Sequence, residues 1–129
     1  MPVVVDEQAV SAHVVDAAIA IHRVLGPGLL ESAYAAALAI EFAERQLFFV
    51  CEAPIHSQYR GRPLGIVYRA DLIVENKVLI ETKAVRMIED IHIAQVLSYL
   101  RLGGFRLGLL LNFNVPVMKR GIKRIVNNL

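Results

Sequence analysis

The sequence predicts a mixed α/β sandwich in which one central sheet is covered by helices on both faces. Two observations lead there. Two helical patterns precede a run of extended segments, which a third helical pattern then interrupts. The best-defined extended segments are also apolar on both faces, as strands are when neither side meets water. At 129 residues and 56% hydrophobic content the chain reads as one domain, 1–129, long enough to bury a core.

Residues 6 to 25 read as a helix. Asp6 is its N-cap, and Val10, Val14, Ala17, Ala18, Ile21 and Leu25 recur at helical spacing until Gly26-Pro27-Gly28 breaks the pattern. A second, alanine-rich helix runs from about Leu29 to Gln46, with Glu31 in its first turn, where the dipole favours a negative charge. Tyr34 and Leu38 follow on the same side, so Glu31 points inward with Tyr34 if that side faces the sheet. His13 and His22 have no Cys or His partner at metal-ligand spacing and read as packing or surface residues. Phe48 to Arg60 reads as a strand, and Pro54 makes it an edge strand or a bulged one. Gly61-Arg62-Pro63 turns the chain into a hairpin from Tyr68 to Lys83, whose two β-branched runs join at Glu75-Asn76-Lys77.

After Lys83 the chain leaves the sheet and enters a helix near Glu89 or Asp90. His92, Gln95 and Tyr99 form one polar stripe on it, and Gly103-Gly104 ends it with a left-handed cap. Phe105 to Phe113 reads as a buried strand with a break near Gly108. Asn114 to Pro116 is a turn, and Ile122 to Val126 a short last strand. The order is therefore α, α, β, β, β, α, β, β.

Three charges in the hairpin, Asp71, Glu81 and Lys83, have no packing reason to be there. Leu72, Val74, Val78 and Ile80 make one apolar face and Ile73 and Leu79 the other, and charges under cover need partners. Glu81 and Lys83 point the same way, about 7 Å apart along the strand. A three-residue turn at Glu75-Asn76-Lys77 sets Val74 against Val78 and Asp71 against Glu81 on one face; a two-residue turn sets Asp71 against Thr82 and splits the cluster. The odd register is the one expected here. Two adjacent carboxylates repel unless a cation or proton sits between them, and a divalent metal with oxygen ligands suits such a pair.

Composition excludes several classes. No apolar run reaches the ~18 residues that span a bilayer. Met1-Pro2-Val3-Val4-Val5-Asp6 lacks the basic start of a secretory signal, so a cytoplasmic location is expected. Cys51 is the sole cysteine, which excludes an internal disulfide and a multi-cysteine zinc site; in an apolar strand it reads as core. All 12 acidic residues precede residue 91, whereas the remainder carries Arg101, Arg106, Lys119, Arg120, Lys123 and Arg124. That end suits a polyanion or serves as a solubilising surface.

Asp71, then Glu81-Thr82-Lys83 after a hairpin, then a helix bearing Gln95 and Tyr99, resembles the PD-(D/E)XK nuclease superfamily, with its Asp, its Glu-x-Lys and the Gln-x-x-x-Tyr helix of the RecB-like branch. Gly28-Leu29-Leu30-Glu31-Ser32-Ala33-Tyr34 resembles the signature of the GxxExxY proteins of that superfamily. So do Tyr68-Arg69-Ala70-Asp71-Leu72, Asn112 to Pro116 and Gly121 to Ile125, which extends the likeness over nearly the whole chain. One departure is Ala70 where the motif has proline.

The resemblance implies a restriction-endonuclease-like αβββαβ core with an extra helix in front. It implies Mg²⁺- or Mn²⁺-dependent phosphodiester hydrolysis in DNA or RNA. Asp71, Glu81 and the Thr82 carbonyl hold the ion, with Glu31 reaching it directly or through a water. Lys83 positions the attacking water or offsets developing charge, while Gln95 and Tyr99 fix Lys83, a carboxylate or the phosphate. Tyr34, His92, Lys119, Arg120, Lys123 and Arg124 are the expected nucleic-acid contacts, and a homodimer is expected of isolated nuclease domains this small. Two other readings fit the same residues: a non-catalytic nucleic-acid module of this fold, and a structural protein whose apolar content serves an oligomer interface.

Overall fold

The computed structural model describes residues 6–129; the Met1–Val5 stretch read for a targeting signal lies outside the described residues. The helix α1 (Glu7–Leu25) begins as its sequence requires, with the Asp6 carboxylate accepting a hydrogen bond from the Ala9 amide at 2.9 Å. Then come α2 (Glu31–Glu44), β1 (Phe49–Tyr59), β2 (Arg62–Val74), β3 (Val78–Lys83), α3 (Asp90–Gly103), β4 (Leu107–Asn112), a 3₁₀ turn at Met118–Gly121 and β5 (Ile122–Val126). The expected element order is observed. No described helix is long and apolar enough to cross a membrane.

The five strands lie in the order β1-β2-β3-β4-β5, all neighbours antiparallel except β3 and β4, which α3 joins as a parallel pair. One layer of core packs α1 and α2 on the face carrying Leu72, Val74, Val78 and Ile80; the other packs α3 on Ile73, Leu79 and Leu110. Both faces are thus covered, which is why these strands hold apolar residues at consecutive positions.

The β2–β3 turn has the expected three residues. Val74 pairs with Val78 and Leu72 with Ile80, and Glu75 and Asn76 take positive φ values of 54° each. Alternation then breaks at Asp71. Leu72 and Val74 pack beneath α1 and α2, but Tyr68 and Ala70 pack beneath α3. β1 inverts alongside, with Phe49 on the first side, Ala53 and Ile55 on the second, and Glu52 between them at φ 50°. The β1–β2 ribbon therefore crosses from one layer to the other beside Asp71.

Several finer expectations change. The β1–β2 turn is Arg60-Gly61, both at positive φ, and Pro63 already lies in β2. This is the two-residue geometry whose twist matches the strands it joins. Gly108 does not break β4; a Cβ there would stand 2.9 Å from Val96 Cγ1 and 3.2 Å from Leu100 Cδ2, so the glycine admits α3 close to the sheet. Cys51 is exposed rather than core, because β1 is the edge strand and the residue sits where the ribbon inverts. Its thiol is pushed up by partial burial and by Glu52, so little of it is the reactive thiolate.

Candidate active site

β2 and β3 separate beyond the Leu72–Ile80 pair, and side chains replace the ladder there. The Thr82 amide donates to Asp71 Oδ2 at 2.8 Å, and the Thr82 hydroxyl donates to the same oxygen at 2.9 Å. In return the Asp71 amide donates to Glu81 Oε1 at 3.1 Å. β3 meanwhile stays paired with β4 as far as Lys83–Asn112. The result is a notch in the β2–β3 ladder, with a carboxylate from each strand and Lys83 two residues beyond Glu81 on β3.

Glu81 is 4% exposed. Burial pushes its carboxyl up to about 7, and the neighbouring Asp71 charge pushes the same way, against the Tyr68 hydroxyl, the Asp71 amide and Lys83. Tyr68 and Tyr99 stack over it with ring centroids 3.4 Å apart and planes 8° from parallel. Both phenols are pushed up, chiefly by burial and then by Glu81, and so remain protonated donors. The motifs assign no role to Tyr68, which only opens the Tyr68-Arg69-Ala70-Asp71-Leu72 stretch, or to the Thr82 hydroxyl, which occupies the free position of Glu-x-Lys.

Asn112 is a further buried polar residue. Its side chain accepts from the Val85 amide at 3.1 Å and donates to the Val85 carbonyl at 2.9 Å, and it also accepts from the Asn114 amide at 3.2 Å. It thereby ties the segment leaving β3 to the end of β4. In the sequence it stands at the end of an apolar run and opens the Asn112 to Pro116 stretch, neither of which gives it a role.

The other expected site residues are dispersed. Glu31 is exposed at the first turn of α2, beside an open cleft of about 520 Å³ that Ser32 and Ala84 also line. Among the described residues no three His, Cys, Asp or Glu side chains stand together as a metal set, so Glu31 does not join Asp71 and Glu81 directly. Nor does it point inward with Tyr34. Tyr34 is fully buried, stacked on Phe113 at 4.3 Å, and its hydroxyl donates to the Gly26 carbonyl at 2.6 Å while accepting from the Leu29 amide at 3.1 Å. This corrects the assignment of Tyr34 to nucleic-acid contact: its ring is core and its hydroxyl holds the α1–α2 turn.

The polar stripe of α3 also divides. His92 Nδ1 accepts from the Glu89 amide at 2.9 Å and caps the helix, Gln95 is exposed, and Tyr99 stacks on Tyr68. Lys119, Arg120, Lys123 and Arg124 are all exposed.

Tyr34→Phe should lower stability by about 1–3 kcal/mol, because two backbone groups of the turn lose their partner. Urea denaturation measures that, and an unchanged affinity for DNA in the same variant checks that Tyr34 does not touch nucleic acid.

A family model of the PD-(D/E)XK nuclease superfamily matches residues 8–125. The chain belongs to that superfamily. No curated protein and no solved structure matches it. The five-stranded mixed sheet with helices on both faces agrees with the restriction-endonuclease-like fold of PD-(D/E)XK proteins. In this member of the superfamily Asp71, Glu81 and Lys83 lie where β2 and β3 part.

The donor set of this PD-(D/E)XK site fits a hard divalent cation. A carboxylate only 4% exposed beside a second acid is short of positive charge, and Asp71 Oδ1 accepts no hydrogen bond among the described residues. In a strand the N–H and C=O of one residue point to the same edge, so the Thr82 carbonyl is directed, like its amide, to the Asp71 side.

Proposed function

We propose that the chain is a nuclease that hydrolyses phosphodiester bonds in DNA with Mg²⁺ or Mn²⁺. The observation that supports this most is the pairing of Asp71 and Glu81 where β2 and β3 part, with Lys83 two residues further along β3. Asp71, Glu81 and the Thr82 carbonyl would hold the ion, which when bound polarises a phosphate oxygen and lowers the pKa of a water.

The remaining work falls to the chain's own groups. Thr82 fixes the Asp71 carboxylate through two hydrogen bonds to one oxygen and leaves the other oxygen for the ion. Lys83 orients the attacking water and offsets charge developing on the phosphate. Tyr68 and Tyr99 exclude solvent from one side of Glu81, so its interactions act in a drier medium than water. Glu31, in a cleft that Ala84 also lines, would reach the ion through a water, and Gln95 on the exposed side of α3 would meet the nucleic-acid strand.

Purified protein incubated with Mn²⁺ or Mg²⁺ and labelled single- and double-stranded DNA should cleave it, with RNA as a second arm. EDTA should stop the reaction, and Glu81→Ala and Lys83→Ala preparations should be inactive. Cleavage that survives both substitutions comes from a contaminant. Failure to bind millimolar Mn²⁺ by calorimetry removes the proposed centre altogether.

A further inference from the structure

A second cluster of charge lies outside the notch. Arg86, Arg120 and Lys123 line a cleft of about 340 Å³ whose walls include Ile88, Ile93 and Ile122. None of the three cations has a carboxylate within ion-pair distance among the described residues, where the one salt bridge is Arg45–Glu41. Three cations brought together over apolar walls repel one another, and an anion between them relieves that.

The fold places this cluster deliberately close to the site. Gly121 is buried against the end of β4, where a Cβ would fall 1.9 Å from the Asn112 carbonyl oxygen, so only a glycine lets the 3₁₀ turn and β5 approach so near. Arg120 precedes that glycine and Lys123 follows it by two. Arg86 comes from the other side, on the segment whose Val85 backbone Asn112 holds by both its amide and its carbonyl. Across the sheet, Glu81 pairs with Leu110 and Leu110 with Lys123. At a strand spacing of about 4.8 Å this puts Lys123 roughly 10 Å from Glu81 at the level of the backbone.

The basic residues of the C-terminal segment do not act as one patch. Lys119 lines a separate depression with His22 and Arg23 of α1, and Arg124 alternates to the other face of β5 from Lys123.

We propose that Arg86, Arg120 and Lys123 form a phosphodiester-binding cleft that grips the substrate strand next to the phosphate being cleaved. This rests on the nuclease reading for the position of the cleaved phosphate, but the binding itself does not need turnover. Arg86 is the residue that completes the cleft, and Lys119 and Arg124 contribute only long-range charge.

The test measures binding of short fluorescent DNA, single-stranded and duplex, and of RNA of the same sequence, in EDTA across a salt series. Cleavage with Mn²⁺ is measured in parallel. Combining Arg86→Ala, Arg120→Ala and Lys123→Ala should lower the slope of log affinity against log salt by about 2 to 3, since each phosphate contact contributes roughly 0.7–0.9. The same protein should show a raised KM with kcat little changed. Arg101→Ala, on the far end of α3, should leave both readouts alone, and unchanged melting temperatures should confirm that the variants fold.

Wild-type slope in the triple variant, with cleavage intact in the wild type, overturns the cleft and leaves the nuclease reading standing. Binding that depends on the three cations without any turnover keeps the cleft and removes the nuclease. A wild type that neither binds nor cleaves any of the nucleic acids overturns both. The arm that binds most tightly identifies the polymer.

Discussion

Glu81→Gln should stabilise the metal-free protein at pH 8 by about 3 kcal/mol and leave its stability unchanged at pH 4. The Glu81 carboxyl is raised from an ordinary 4.5 to about 7, by burial first and by Asp71 second. Below pH 4.5 it is protonated in both the folded and the unfolded chain, and its burial is not penalised. Between 4.5 and 7 the unfolded chain gives up the proton while the folded one keeps it, so stability falls by about 1.4 kcal/mol per pH unit. Above 7 the full penalty is present and constant. Glutamine retains an oxygen for the Asp71 amide and carries no charge, so the difference between the two proteins isolates this group. Urea unfolding from pH 4 to 8 reads it directly. Saturating Mn²⁺ should reverse the trend, stabilising the wild type more at pH 8 than at pH 5.5, and its binding near pH 6 should release a proton. Parallel stability curves for wild type and Glu81→Gln would show that Glu81 is not the strained acid described here.

Asp71→Asn should reduce the cleavage rate by about 10²–10³-fold with little change in fold. The asparagine oxygen can still accept from the Thr82 amide and hydroxyl, which both reach one carboxylate oxygen at 2.8 and 2.9 Å. The negative charge is lost, and with it an electrostatic contribution of the size that single catalytic groups supply. Mn²⁺ affinity measured by calorimetry should fall in the same variant. Thr82→Val, which removes only the hydroxyl, should have a smaller effect in the same direction, because Asp71 then keeps one of its two anchors. An Asp71→Asn protein that cleaves at the wild-type rate would place the chemistry elsewhere.

The register of the central hairpin was legible because it depends on a period of two. Leu72, Val74, Val78 and Ile80 must share one covered face, and only a three-residue turn at Glu75-Asn76-Lys77 also sets Asp71 against Glu81. What alternation misses is its own failure. Leu72 and Ala70 pack on opposite layers because the ribbon inverts beside Asp71, and nothing in the local sequence announces it; in the structure Glu52 takes up the inversion at φ 50°, a conformation few non-glycine residues adopt. Glu31 and Tyr34 share a helix side by spacing, yet one is exposed and the other fully buried. Three residues apart leaves two side chains about 60° apart around the axis, and at the edge of a buried stripe in a helix's first turn that is enough to put one in the core and one outside it.

From its own order of residues the chain determines its elements, its two covered faces and the motif positions Asp71, Glu81 and Lys83, since these follow from periods, turn chemistry and fixed spacing. Only the packed structure decided that Thr82 and Tyr68 hold the acids, that Asn112 ties the site to β4, and that Arg86 meets Arg120 and Lys123 around Gly121. Those contacts join residues 10 to 40 positions apart across strands whose relative placement is set by helix packing. A one-dimensional pattern records which side of its own strand a residue takes, but not which distant strand end lies opposite.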